Sequence, residues 1–269
     1  MQTSAKSSLN YCTSCGALVE ASNGHARSLL SPAPAVTPAA IFGAETRRPA
    51  RPLLRLLVAD DQEVVRTGVR ALAQERAGWE VVAEAADGRE AVAKSVELKP
   101  DVAILEITMP VLNGVEAARQ IVKASPRTKV LILTAYESED LIQKALDAGA
   151  RGFLLKTDPG RDLLAAVEAV SNDRTFFTPK VAQKILDGYK STNSGKPRVG
   201  HKASAVLTPR QTEVVQLVAE GCTSKEVAAA LGITVKTADT HRSNILRALN
   251  YHSRTDLIRY AIRNHIITA

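Results

Sequence analysis

No stretch of this chain limits its folding choices as tightly as Lys99-Pro-Asp-Val-Ala-Ile-Leu-Glu106-Ile-Thr-Met-Pro-Val-Leu-Asn-Gly114. Val102 to Leu105 is an uninterrupted apolar run, short for a helix and of the kind a strand needs when both faces of a parallel sheet are covered. The run ends on Glu106, which places that acid at the carboxyl edge of the sheet, where ligands collect in open α/β folds. Three other runs end in the same way. Leu54 to Ala59 leads into Asp60-Asp61, Leu131 to Leu133 into Thr134, and Gly152 to Leu155 into Lys156. Acids, a hydroxyl and an amine at the ends of four strands form the pattern of a small site for a cation and a phosphate.

From Leu53 onward, strand and helix signals alternate five times. This predicts an α/β, flavodoxin-like, doubly wound five-strand parallel sheet over residues 53–172. Val64, Val65, Val69, Leu72 and Ala73 recur at helical spacing, Trp79 to Ala85 reads as a strand, and Gly88 to Leu98 as a helix closed by Pro100. Further helices are expected over Val115 to Ala124, stopped by Ser125-Pro126, over Asp140 to Ala148, stopped by Gly149, and over Asp162 to Val170.

This set resembles the receiver domain of two-component response regulators from about Leu53 to Asn172. The resemblance implies an acidic Mg2+ cluster of Asp60, Asp61 and Glu106, with Glu106 at the phosphoacceptor position. It also implies that Thr134, Phe153 and Lys156 are the residues that respond to the phosphoryl group. The Met109-Pro110 step and Gly114 fit the same pattern. One residue departs from it: the family carries Asp where this chain carries Glu106. The extra methylene moves the carboxylate about one C–C bond further into the pocket, and a misplacement of about 1 Å can cost on the order of 100-fold in phosphoryl transfer. Three consequences stay open. The longer side chain reaches Lys156 and Thr134 and imitates the phosphorylated state, or the pocket is vestigial and the domain only dimerises, or Glu106 is itself phosphorylated slowly; the first two make the receiver independent of phosphorylation and are the favoured reading.

The chain has 269 residues, 45% of them apolar, and a net charge of +7. That length and composition suit about two domains with ordinary buried cores. No apolar run is long enough to span a membrane, and prolines at 32, 34 and 38 interrupt the most apolar N-terminal stretch, so a cytoplasmic protein is expected. Charge is unevenly distributed. Residues 53–172 carry 15 basic and 19 acidic side chains, residues 173–203 carry 7 and 2, and residues 204–269 carry 8 and 5. The acidic segment holds the proposed cation site, while the basic linker and C-terminal segment suit a polyanion. Residues 1–52, rich in Ala, Ser and Pro, are expected to be a disordered extension, or to lie upstream of the true start. Cys12 and Cys15 there supply only half the ligands of a structural zinc.

Residues 173–203 read as a linker with one short helix, Pro179 to Tyr189, and residues 204–269 as a small all-α, four-helix domain. Thr208 caps a helix beginning at Pro209, Thr223 caps a second helix, Gly232 makes the turn, Thr234 caps a third, and Ser253 opens a fourth. Helix, tight turn, helix is the helix-turn-helix signature. The stretch from Glu220 to Leu249 resembles the LuxR-type DNA-binding domain. A receiver joined to such a domain resembles the NarL/FixJ subfamily.

In the third of these helices Lys236, Asp239, Thr240, Ser243 and Arg247 share a face opposite Ala238, Ile245 and Leu249. With Thr237, they are the residues expected in the major groove, while Ser224 and Lys225 are expected on backbone phosphates. The resemblance implies a transcription regulator, not an enzyme, that binds promoter DNA as a homodimer and has a sensor histidine kinase as partner. Asp239 repels phosphate, which keeps a second function in view: an interaction protein that does not bind DNA and titrates a kinase or partner regulator through its receiver.

Overall fold

The computed structural model describes residues 9–11, 18–20, 53–193 and 207–268. Two short strands lie within the N-terminal stretch expected to be without structure. These are β1 (Leu9–Tyr11) and β2 (Leu18–Glu20), paired antiparallel with Tyr11 opposite Leu18. Leu, Tyr and Val suit a strand, a local preference that the composition of the whole tail conceals. Cys12, Cys15 and the rest of that stretch lie outside the described residues, as do residues 194–206 of the linker.

The α/β part contains β3 (Leu54–Ala59), α1 (Glu63–Gln74), β4 (Trp79–Ala85), α2 (Gly88–Leu98), β5 (Val102–Leu105), α3 (Gly114–Ala124), β6 (Lys129–Thr134), α4 (Glu139–Asp147), β7 (Gly152–Leu155), α5 (Gly160–Ser171), β8 (Phe176–Phe177) and α6 (Pro179–Asn193). The sheet is parallel in the order β4-β3-β5-β6-β7-β8. It has six strands rather than the expected five. The extra strand is two residues long, pairs Phe176 and Phe177 with Gly152 and Phe153, and follows a turn in which Asp173 takes φ 58°.

Successive residues along a strand face opposite sides of the sheet, and the core divides accordingly. Leu57, Ala103, Leu105, Ile132 and Phe153 pack with residues of α2, α3 and α4. Leu56, Val58, Val102, Ile104, Leu131 and Leu154 pack with residues of α1 and α5. All four residues of β5 are buried, which is why its sequence reads as a continuous apolar run rather than an alternation.

The C-terminal part is α7 (Pro209–Ala219), α8 (Ser224–Leu231), α9 (Val235–Leu249) and α10 (Arg254–Arg263) around one apolar cluster that includes Val214, Leu217, Val227, Ile245 and Leu257. The expected caps are in place: Thr208, Thr223, Thr234 and Ser253 each accept a backbone N–H three residues on. Gly232 ends α8 at φ 63°, a left-handed turn that an L side chain rarely adopts.

Candidate functional site

Register alone assembles the first site. Ala59 pairs with Leu105, so Asp60 and Glu106 leave adjacent strands side by side, where the order of strands reverses direction. Thr134 pairs with Leu155, which sets Lys156 one residue beyond it on the next strand pair. Asp60, Glu106 and Thr134 are all buried.

The Glu106 carboxylate is engaged on both oxygens. Its Oε2 pairs with Lys156 Nζ at 2.6 Å. Its Oε1 accepts from Thr134 Oγ1 at 2.6 Å, from the Ile107 N–H at 2.5 Å and from the Thr108 N–H at 3.3 Å. Lys156 Nζ also pairs with Asp60 Oδ2 at 2.6 Å, and Asp60 Oδ1 accepts from the Gln62 N–H. Burial raises the pKa of Asp60 although Lys156 stabilises its ionised form. Burial alone would lower the pKa of Lys156, yet its contacts with Asp60 and Glu106 leave it raised, so the ammonium stays charged.

The expected metal cluster does not come together. Asp61 is exposed, and among the described residues no group of three His, Cys, Asp or Glu side chains could hold a metal ion. The Lys156 ammonium instead lies between the Asp60 and Glu106 carboxylates, 2.6 Å from each. The sequence could not reveal this because Asp60 and Asp61 are indistinguishable as letters, whereas the strand end turns one inward and the other out. Phe153 is buried in the core on the α3 and α4 side of the sheet.

The second site is the outer face of α9. Lys236, Thr237, Asp239, Thr240, Ser243 and Arg247 are all exposed, with Ala238 and Ile245 buried beneath them. Lys225 is exposed at the start of α8. Two of the expected DNA contacts bond to each other: Ser224 Oγ donates to Asp239 Oδ1 at 2.6 Å, tying α8 to α9. Thr237 helps close the first turn against Thr234, and Arg247 Nη2 donates to Asn244 Oδ1 at 2.5 Å.

Sequence reasoning missed the contacts between the two parts. Gln216 of α7 is fully buried against the loop that follows β5, and Glu213 and Glu220 flank it. A signal was present. Gln216 lies inside Val214-Val-Gln-Leu-Val218, an apolar run that encircles the helix, and a polar side chain in such a setting needs a buried partner.

Comparison with known proteins gives a consistent result. The family model described as response regulator receiver domain matches residues 56–168, and that of bacterial regulatory proteins, luxR family, matches residues 205–261. The transcriptional regulatory protein LiaR of Bacillus subtilis is 37% identical over 215 residues, covering 80% of this chain and all of that protein. The response regulator protein VraR of Staphylococcus aureus is 38% identical over 214 residues, covering 80% of this chain and 99% of that one. The structure of RcsB from Salmonella enterica serovar Typhimurium bound to promoter rprA in the presence of phosphomimetic BeF3- is 23% identical. It covers 77% of this chain and 97% of that chain at a TM-score of 0.52, a likeness of fold.

Proposed function

The chain belongs to the two-component response regulators that join a receiver domain to a LuxR-type helix-turn-helix, and we propose that its receiver is set by Glu106 itself rather than by a phosphoryl group. On this reading it is a DNA-binding transcription regulator of the cytoplasm. It reads promoter DNA through α9 as a homodimer and does not need phosphorylation by a histidine kinase to do so.

One observation carries the reading: the carboxylate of Glu106 already holds Thr134 and Lys156, at 2.6 Å each. Those two residues stand at the positions that contact the phosphoryl group in receivers. A carboxylate in their grip supplies a negative charge and acceptor oxygens without group transfer. Receiver domains typically bind Mg2+ at an acidic cluster; in this chain Lys156 supplies the neutralising charge for Asp60 and Glu106. Phe153, packed in the core beside the Thr134 strand, is the apolar residue expected to sense that engagement.

At the other end, α9 presents hydroxyls and two cations on an exposed face, a set able to meet base edges and phosphates. Asp239 motivated the rival reading of a titrating protein that does not bind DNA. Its bond to Ser224 gives it a role inside the helix-turn-helix, and no other feature favours the rival. No helix among the described residues is long and apolar enough to cross a membrane.

The test is a gel shift of the full chain on a pool of random duplexes, repeated at several salt concentrations. A DNA-binding regulator retains duplexes with an affinity that falls steeply as salt rises, because bound phosphates release counterions. Absence of any retained duplex at low salt would favour the titrating protein.

A further inference from the structure

Glu213 and Gln216 of α7 and Glu220, the residue that caps its C-terminus, fall on one face at spacings of three and four, and that face is turned to the receiver. Every hydrogen-bonding position of the Gln216 amide is filled. Its Oε1 accepts from the Asn113 N–H at 2.7 Å and from Asn113 Nδ2 at 3.1 Å, and its Nε2 donates to the Met109 carbonyl and to Glu220 Oε1, each at 2.8 Å. The Glu220 carboxylate accepts from the Val111 N–H at 3.0 Å, and Glu213 Oε1 accepts from Gln120 Nε2 at 2.9 Å. A buried amide with all its positions satisfied selects one geometry, since any slip leaves a desolvated donor or acceptor unpaired.

The receiver partners are mostly backbone groups of one loop, residues 107–113. That loop is tightly held. Its last turn closes with the Gly114 N–H on the Ile107 carbonyl at 2.7 Å, so close that a Cβ on Gly114 would lie 1.8 Å from the Glu106 carbonyl oxygen. Within the loop Val111 has φ 66°, a left-handed conformation that a β-branched residue avoids, and its N–H is the one that Glu220 accepts. The loop begins at Ile107 and Thr108, whose N–H groups both donate to Glu106 Oε1.

A second route starts at the same oxygen. Thr134 Oγ1 donates to Glu106 Oε1 and accepts from the Tyr136 N–H at 3.3 Å, and the Tyr136 ring lies 4.7 Å, centroid to centroid, from the ring of His265 just beyond α10. In this docked arrangement the α9 face remains exposed.

We propose that Glu106 Oε1 holds the DNA-binding domain docked on the receiver through two arms, in an orientation that leaves the reading face of α9 open to DNA. The first arm is the 107–113 loop gripping Gln216 and Glu220; the second is Thr134–Tyr136 against His265. The docked form is therefore a binding form with fixed orientation, not an occluded one. The proposal rests on the reading that Glu106 is permanently engaged, and it adds what that engagement controls.

The experiment is amide hydrogen exchange on the full chain, paired with DNA affinity by fluorescence anisotropy, for wild type, Gln216→Ala, Glu220→Ala and Glu106→Asp. Gln216→Ala is expected to speed exchange at Val111 and Asn113 at least tenfold while leaving β5 unchanged, which separates undocking from unfolding. Glu220→Ala should do the same at Val111. Glu106→Asp, which withdraws the oxygen from Thr134, should speed exchange in the same loop and along the facing side of α7. Affinity for a single duplex site should change less than threefold in Gln216→Ala. Unchanged exchange at Val111 and Asn113 in Gln216→Ala would overturn the docking. Unchanged exchange in Glu106→Asp would overturn the coupling. A gain of more than tenfold in affinity in Gln216→Ala would show occlusion and overturn the open orientation. Response of the wild type to a phosphodonor, measured alongside, reports separately on whether Glu106 is permanently engaged.

Discussion

The pocket at the strand ends and the face of α9 are both clusters of polar side chains, and they differ in whether those side chains have partners inside the protein. In the pocket every charge is engaged: Lys156 holds Asp60 and Glu106, and Thr134 and two backbone N–H groups hold the same glutamate. On α9 the side chains are exposed, and their bonds are short-range, within a turn or across the helix-turn-helix. A closed cluster sets a state, because altering one member strands the others in a low-dielectric interior. An open face reads a partner, because its members keep their hydration until a ligand replaces it. Substitutions in the first should therefore act on stability and domain arrangement, and substitutions in the second on DNA affinity with little effect on folding.

The largest expected effect comes from Lys156→Met, which leaves two buried carboxylates side by side with no cation. Removing one partner of a buried ionic cluster costs about 3–5 kcal/mol. Urea unfolding at neutral pH should show a loss of that order, diminishing in acid as Asp60, whose pKa burial raises, takes up a proton. A loss below about 1 kcal/mol would mean that the cluster is not closed in solution and that the contrast fails.

Asp239→Lys is expected to have a smaller effect on stability, about 0.5–1.5 kcal/mol from the lost Ser224 bond, and an opposite effect on function. Replacing a repelling charge with a phosphate contact should tighten DNA binding generally and steepen its salt dependence by about one unit of slope. If affinity instead falls for the native site alone, Asp239 reads a base, and the open face is more specific than its composition suggests.

Much of this was legible in the sequence, and the exceptions share a cause. The run Val102 to Leu105 is wholly buried, so its composition announces a central strand, and the caps at Thr208, Thr223, Thr234 and Ser253 are local bonds to a backbone N–H three residues on. Both are properties of neighbours along the chain. The strand Phe176–Phe177 escaped because two residues carry no period and its existence depends on pairing with β7. The inward turn of Asp60 and the outward turn of Asp61, the placement of Lys156 between two acids, and the seating of Gln216 against Asn113 depend on side-chain direction and on contacts across more than a hundred residues of chain. Asp60, Glu106, Thr134 and Lys156 could be named from their strand ends, and the reach of Glu106 to Lys156 and Thr134 stood among the alternatives, but the pairing of Lys156 with Asp60 as well did not.

The smallest expected effect is a pH dependence at the docking surface. Burial raises the pKa of Glu116, Arg119 lowers it, and Glu213 of α7 raises it again. A carboxyl whose folded pKa lies above its unfolded value contributes stability that is fully present below the unfolded pKa and is lost as pH rises through the folded one. Glu116→Gln should therefore flatten the fall in stability across a window that opens at the ordinary Glu range, about 4.3, and extends above it. Because other carboxylates titrate in the same range, the informative quantity is the difference between variant and wild type. A difference independent of pH would mean that Glu116 is not buried beside Glu213 in solution.

The central claim is that Glu106 stands permanently where other receivers place a phosphoryl group, and it is tested most directly by DNA binding with and without a small-molecule phosphodonor. The wild type should bind equally in both conditions and acquire no label at Glu106. Glu106→Asp, which restores the shorter acceptor, should incorporate the phosphoryl group and bind DNA in a donor-dependent way. Labelling of wild-type Glu106 at a rate like that of the Asp variant, with affinity rising in step, would contradict the account.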